Sequence, residues 1–189
     1  MLTKGTVRGI ISNLVIVEAD GPVAQNEIAY INHDGTRLMA EVIKVVGKNA
    51  NLQVFESTRG LVIGAEVEFQ GHMLEVVLGP GLLQRNLDGL ENDLDKMSGV
   101  FLKRGEYTFP LDEEKLWQFK PIVKVGDKVS AGSWLGEVDE NFQSHKIMVP
   151  FVTKGDYKIK SIADEGEYNI YHTIAVIEDS EGNETEVNM

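Results

Sequence analysis

The chain has no cysteine among its 189 residues. That absence removes disulfide frameworks, thiolate zinc sites and cysteine nucleophiles together, and it fits a cytosolic protein. Positive charge is also scarce: 18 Lys and Arg against 30 Asp and Glu leave a formal net charge of −12. Attraction to phosphate needs a basic surface, so this balance argues against nucleic acid and against an anionic membrane surface as partners. No apolar run approaches the ~20 residues of a membrane-spanning helix. The stretch from Ile10 to Val17 is interrupted by Ser12 and Asn13 and followed by Glu18 and Asp20, without a small-residue cleavage site, which argues against a signal peptide. What remains is ordinary globular composition, 42% hydrophobic and 25% charged, in a chain long enough for one or two domains with a core that needs no staples.

The first seventy residues read as short strands. Gly5–Ile11, Asn13–Ala19, Thr36–Val46, Asn51–Phe55 and Glu66–Phe69 are strand-like runs, separated by turn signals such as Asp20-Gly21-Pro22, Gly47-Lys48-Asn49 and Arg59-Gly60. Asp34-Gly35 between two such runs is the strongest hairpin signal. Five or six short strands so closely spaced suggest a small barrel, because closure removes exposed edges. Strands return after Phe119, with a turn-rich run from Lys120 to Gly132 and then Trp134–Val138, Lys146–Val149, Tyr157–Ile162 and Thr173–Glu178. The acidic tail Glu178–Met189 reads as a hairpin or a frayed end. The fold class is therefore mainly β. Residues 1–72 form an N-terminal β-barrel, 73–115 a connector, and 116–189 a second β-rich, barrel-like domain.

The connector has a different pattern. After Gly79-Pro80-Gly81, the residues Leu83, Leu87, Leu90, Leu94 and Met97 follow at spacings of four, three, four and three, which places them on one helical face. Gly89 weakens a continuous helix, so two short helical turns broken at Asp88-Gly89 fit equally well. Five apolar side chains left in water would be a costly patch, since burying one Leu contributes ~1.5–3 kcal/mol. These five are the candidate interface residues, covered either by the chain's own β domains or by another domain.

Sites for chemistry are missing. A P-loop needs a Gly-rich turn, then Lys and Ser or Thr, so that backbone N–H groups, ammonium and hydroxyl meet phosphate and magnesium. Gly47-Lys48 is followed by Asn49 and preceded by Val42 where a glycine is required. His33, His72, His145 and His172 are not at metal-ligand spacing, and no Gly-X-Ser-X-Gly elbow anchors a serine hydrolase. With 30 acids, pairs such as Glu113-Glu114 and Asp164-Glu165 arise by chance and read as solvated surface. Catalytic, cofactor-binding and metal residues are accordingly expected to be absent from this chain.

Two resemblances add to this reading. Val125-Gly126-Asp127-Lys128-Val129-Ser130-Ala131-Gly132 and Leu135-Gly136-Glu137-Val138 resemble the first half of a biotinyl/lipoyl carrier barrel. Lys146 stands four residues before Pro150 inside a strand-like stretch, however, and no Met-Lys-Met occupies the turn around Asp139–Ser144. A modified carrier module, or a free-standing adaptor of two β modules, is thus the alternative.

The second resemblance covers essentially the whole chain. Gln53-Val54-Phe55-Glu56-Ser57-Thr58-Arg59-Gly60-Leu61 is similar to the end of the N-terminal barrel of rotary ATPases. Leu78-Gly79-Pro80-Gly81-Leu82-Leu83 and Leu87-Asp88-Gly89-Leu90 resemble the crossing into their nucleotide-binding domain. Trp117-Gln118-Phe119-Lys120-Pro121, Val125-Gly126-Asp127, His145 to Pro150, Gly166-Glu167-Tyr168 and Thr173-Ile174-Ala175 resemble the domain inserted in the catalytic A subunit of V-type and archaeal-type ATPases. The family's Asp-Gly-Ile-Gln-Arg-Pro-Leu is replaced here by Asp88-Gly89-Leu90-Glu91-Asn92-Asp93-Leu94, which loses the Arg-Pro.

The resemblance implies an N-terminal fragment of a catalytic subunit that couples ATP synthesis or hydrolysis to proton or sodium transfer. The P-loop would lie downstream, MgATP or MgADP would be bound by the parent alone, and the fragment by itself would be inactive. Non-catalytic B subunits in a hexameric ring and peripheral-stalk subunits would be the partners. The location would be cytoplasmic, peripheral to the membrane, without direct membrane insertion.

Overall fold

A computed structural model describes residues 2–97 and 104–189. The middle of the 73–115 connector, residues 98–103, lies outside the described residues. The chain divides into two compact units, Met1–Val76 with Lys96–Thr108, and Val77–Asp95 with Phe109–Met189.

The first unit is a closed antiparallel barrel. Its strands are β1 (Lys4–Ile11), β2 (Leu14–Ala19), β3 (Ile28–His33), β4 (Thr36–Val46), β5 (Asn49–Val54) and β6 (Glu66–Phe69), in the order β1-β2-β5-β4-β3-β6. Alternation along each strand sends Val7, Val15, Val17, Ile31, Leu38, Leu52, Val67 and Phe69 inward, all fully buried. Asp34-Gly35 turns β3 into β4, with φ of 49° and 73°, the left-handed pair of a tight hairpin. Strand β3 is not among the strand-like runs of the sequence, yet it supplies the partner that this hairpin needs. Bulges in β1 between Val7 and Gly9 and in β4 between Val42 and Lys44 bend the sheet enough to close it.

The second unit stacks its core in two clusters between two antiparallel sheets. Strands β7 (Trp117–Pro121), β9 (Trp134–Glu140), β10 (Gln143–Met148) and β12 (Gly166–Tyr168) form one sheet, β10-β9-β7-β12. Strands β8 (Lys128–Val129), β11 (Tyr157–Ile162), β13 (Thr173–Glu178) and β14 (Glu184–Asn188) form the other, β14-β13-β11-β8. Phe119 and Ile174 centre one cluster, and Leu135, Ile159 and Ile177 the other. Gly136 permits the closest packing, because a Cβ there would sit 2.2 Å from the Phe119 ring. The acidic tail forms the β13–β14 hairpin.

Among the described residues there is no helix, so the helical stripe from Leu83 to Met97 is not formed. The physical reasons are local. Gln84 and Glu91 have φ of 68° and 66°, outside the helical region. The Asp88 carboxylate takes the N–H groups of Leu90 and Asn92 that a helix would direct to backbone carbonyls. The connector is a series of turns held by side chains.

Candidate functional site

Four of the candidate interface residues, Leu83, Leu87, Leu90 and Leu94, lie on a loop, Val77–Asp95, that belongs to the second unit. Glu140 fastens it. This residue ends β9 on the inward side, in phase with Val138, and is 1% exposed. One carboxylate oxygen accepts the Gly81 N–H at 2.7 Å and the Leu83 N–H at 2.9 Å. The other lies 2.8 Å from His145 Nδ1 on β10, which assigns that ring proton to Nδ1. A carboxylate this buried is tolerable only when its lone pairs are filled, and here three donors fill them. Between the two clasped N–H groups, Leu82 turns onto the core cluster around Phe119.

Beyond this clasp the loop closes on itself. Asp88 accepts the Leu90 and Asn92 N–H groups at 2.8 Å through one oxygen and the Asn92 side-chain amide at 2.9 Å through the other. The Asp88 N–H in turn reaches the Asn92 carbonyl at 3.1 Å. Burial pushes the Asp88 carboxyl upward. The hydrogen bonds from the Asn92 side chain and from the Asn92 and Leu90 backbone outweigh it and hold the group below the usual carboxylate range. Leu87 and Asp93 form a bridge across the loop base. Asp93, fully buried, pairs with Arg85 Nη1 at 2.9 Å, and the Glu91 side chain accepts the Val77 N–H at 2.8 Å. Asn92 and Asp93 thus build a self-closed loop.

This arrangement disperses the five candidate residues. Leu83 and Leu94 are 44% and 45% exposed. Leu87 and Leu90 are half-buried in the same loop, and half-buried Met97 belongs to the first unit. The sequence reasoning missed Glu140 and Leu82, the residues that hold the loop. Strand alternation carried two residues past Val138 would have put Glu140 on the inward face.

A second buried-side clasp serves the first unit. Glu56 accepts the Gly105 N–H at 2.6 Å and the Tyr107 hydroxyl, and Tyr107 in turn accepts the Met39 N–H at 2.9 Å. Burial, and then the Glu56 carboxylate, push the Tyr107 hydroxyl pKa upward. Arg104 adds a hydrogen bond to the Arg59 carbonyl at 2.5 Å.

Among the described residues no three His, Asp or Glu side chains are placed to hold a metal ion. His33 faces Asp34, His145 faces Glu140 and His172 stacks on Tyr168. Lys146 lies within β10, bound to Glu137 and to Ser144 Oγ, while the β9–β10 turn consists of Asn141 and Phe142. A carrier lysine would have to occupy that turn. No helix among the described residues is long and apolar enough to cross a membrane.

Two family models match the chain in succession. Residues 7–71 match the beta-barrel domain of the ATP synthase alpha/beta family, and residues 108–189 match the ATP synthase alpha/beta subunit barrel-sandwich domain. The chain is 46% identical to the V-type ATP synthase alpha chain of Borrelia garinii subsp. bavariensis, a match covering 100% of this chain and 33% of the relative. It is 47% identical to that of Borreliella afzelii, over 96% of this chain and 32% of the relative. The alpha chain of Borrelia recurrentis is 46% identical over the same shares. The chain therefore spans about a third of the length of these curated relatives.

Proposed function

Because the chain belongs to the ATP synthase alpha/beta family, we propose that it acts as the N-terminal, assembly-building part of the catalytic subunit of a V-type ATP synthase or ATPase. The observation that carries this reading is the match over the full chain to V-type alpha chains, with both family models in order. In this reading residues 1–72 join the collar of a hexameric ring with non-catalytic B subunits. Residues 116–189 form the inserted domain that reaches peripheral-stalk subunits, and 73–115 lead into the nucleotide-binding domain.

Nucleotide chemistry belongs to the rest of the subunit. A P-loop, Mg²⁺ and an arginine would position and stabilise the transferred phosphoryl group there, with MgATP or MgADP as ligand and proton or sodium transfer as the coupled process. The assembly would sit on the cytoplasmic side, peripheral to the membrane. The exposed Leu83 and Leu94, with Leu87, Leu90 and Met97, would be covered by that later part of the subunit.

Co-purification tests the proposal. The chain should associate with the N-terminal barrel of a B subunit from the same complex, and should show neither ATP turnover nor Mg-nucleotide affinity. Measurable turnover, or failure to associate with B subunits, would contradict it.

A further inference from the structure

The sequence holds three Asp-Gly pairs, Asp20-Gly21, Asp34-Gly35 and Asp88-Gly89. An aspartate followed by glycine is open to attack on its own side chain by the next backbone nitrogen. Glycine sets no Cβ against the approach and leaves the backbone the most freedom. By residue type the three pairs are equivalent, and their surroundings separate them.

Two of the carboxylates are tied to backbone beyond the dipeptide. Asp20 accepts the Lys4 N–H of β1 at 2.8 Å, and its own N–H reaches the Lys4 carbonyl at 2.9 Å. Just after it, the Pro22 carbonyl accepts the Thr3 hydroxyl at 2.9 Å. Asp88 accepts three donors, from the Leu90 backbone and from the backbone and side chain of Asn92. Those bonds also keep it ionised, and an ionised carboxylate oxygen is a poor leaving group. Asp34 is placed differently. It stands at the tip of the β3–β4 hairpin with its side chain 87% exposed. Its ion-pair partner among the described residues is the adjacent His33, Nε2 to Oδ2 at 3.2 Å. That contact moves with the turn and fixes Asp34 to no other strand, so attack requires only that a solvent-facing turn open locally.

We propose that Asp34 is a site of spontaneous isoaspartate formation in the folded protein, and that the fold suppresses the same reaction at Asp20 and Asp88. The reacting form is the protonated carboxyl. The Gly35 nitrogen bonds to Asp34 Cγ and gives up its proton by way of water. The carboxyl hydroxyl takes up a proton, its bond to Cγ breaks, and it leaves as water. The product is a cyclic imide. Water then adds to either imide carbonyl: one opening restores aspartate, and the other leaves the main chain running through the side-chain methylene. Nothing is oxidised or reduced. The extra backbone atom falls in a two-residue turn whose flanks, His33 and Thr36, are paired, and that register no longer fits it. Strand β3 also pairs with β6, so the modified turn adjoins a seam of the barrel.

The test ages the full chain at neutral pH and physiological temperature, both native and in guanidinium chloride. Isoaspartate at each pair is measured by peptide mapping with electron-transfer fragmentation and by isoaspartyl methyltransferase labelling. In the native chain Asp34 should convert ~10-fold or more faster than Asp20 and Asp88, a retardation that two or three retained hydrogen bonds can impose. In denaturant the three rates should converge. Gly35→Asn keeps a residue tolerant of the left-handed turn but sets a side chain against ring closure, and should suppress the product at Asp34. Asn92→Ala frees one Asp88 oxygen and should raise conversion at Asp88 alone. Equal native rates at the three pairs, or no product at Asp34 while the denatured chain converts, would overturn the proposal. So would a native order that persists in denaturant, because neighbouring residues and not the fold would then set the rates.

Discussion

Asp88–Asn92 and Asp179–Asn183 are the same five-residue loop built twice. In both, the aspartate accepts the N–H groups two and four residues on and the amide of the closing asparagine. In both, the aspartate N–H reaches the asparagine carbonyl. The flanking residues pair in both, Leu87 with Asp93 and Glu178 with Glu184. The fourth residue has positive φ in each, 66° at Glu91 and 87° at Gly182. What differs is the setting. The second loop is a solvent-facing hairpin between β13 and β14, whereas the first has buried Asn92 and Asp93 and an ion pair to Arg85. An identical hydrogen-bond code makes a free turn in one place and a docked element in the other. Tertiary burial, not the local code, decides which.

The largest expected break in this parallel is at Arg85. Removing it takes the guanidinium from the buried Asp93 carboxylate, and losing one partner of a buried ion pair costs ~3 kcal/mol or more. Arg85→Ala should therefore lower stability to chemical denaturation in the second unit by about that amount. Next come the closing asparagines. Asn92→Ala leaves a buried hydrogen bond unmade and should cost ~1–2 kcal/mol, while exposed Asn183→Ala should cost ~0.5 kcal/mol. Equal losses in parallel urea titrations would show that burial does not separate the loops.

The fourth position gives a smaller, opposed pair. Gly182→Ala forces a side chain into the left-handed region and should destabilise by ~1 kcal/mol. Glu91→Gly relieves that same strain but gives up the bond to the Val77 N–H, so its net effect should lie within ~0.5 kcal/mol of zero. The mildest test is acid. Hydrogen bonds hold the carboxyl pKa values of Asp88 and Asp179 below the ordinary aspartate value. A depressed folded pKa contributes stability above the unfolded value, and that contribution is lost as pH falls through the folded one. Both loops should keep their native carboxyl resonances at pH 5 and loosen only below about pH 4 in an NMR titration.

Much of the β architecture was legible. Thr36–Val46, Glu66–Phe69, Tyr157–Ile162 and Thr173–Glu178 appear as strands with the bounds that their alternation implies. Asp34-Gly35 supplied its hairpin. The connector was misread because its leucine spacing fits a helix, and spacing alone does not register a carboxylate that captures the backbone. The Asp-x-x-x-Asn repeat was present at residues 88–92 and 179–183, but a five-residue polar motif is weak against a run of leucines. The clasping glutamates were hidden for a different reason. Among 30 acids, nothing in the residue type separates Glu56 and Glu140 from solvated surface, and only the strand phase of Glu140 points inward.

The two clasps also bear on how the chain comes to be folded. Glu56 reaches partners 49 and 51 residues away, and Glu140 reaches partners 57 and 59 residues away. Hairpins of the barrel can pair while neighbouring segments are still unstructured, but contacts of such separation must wait for long intervening stretches to be collected. On emergence from a ribosome, the barrel strands would precede Tyr107, and the Gly81–Leu83 segment would stay untethered until Glu140 was made. Nascent chains halted in that interval should be cut by protease near Leu83, and completion of the second unit through β14 should abolish the cut.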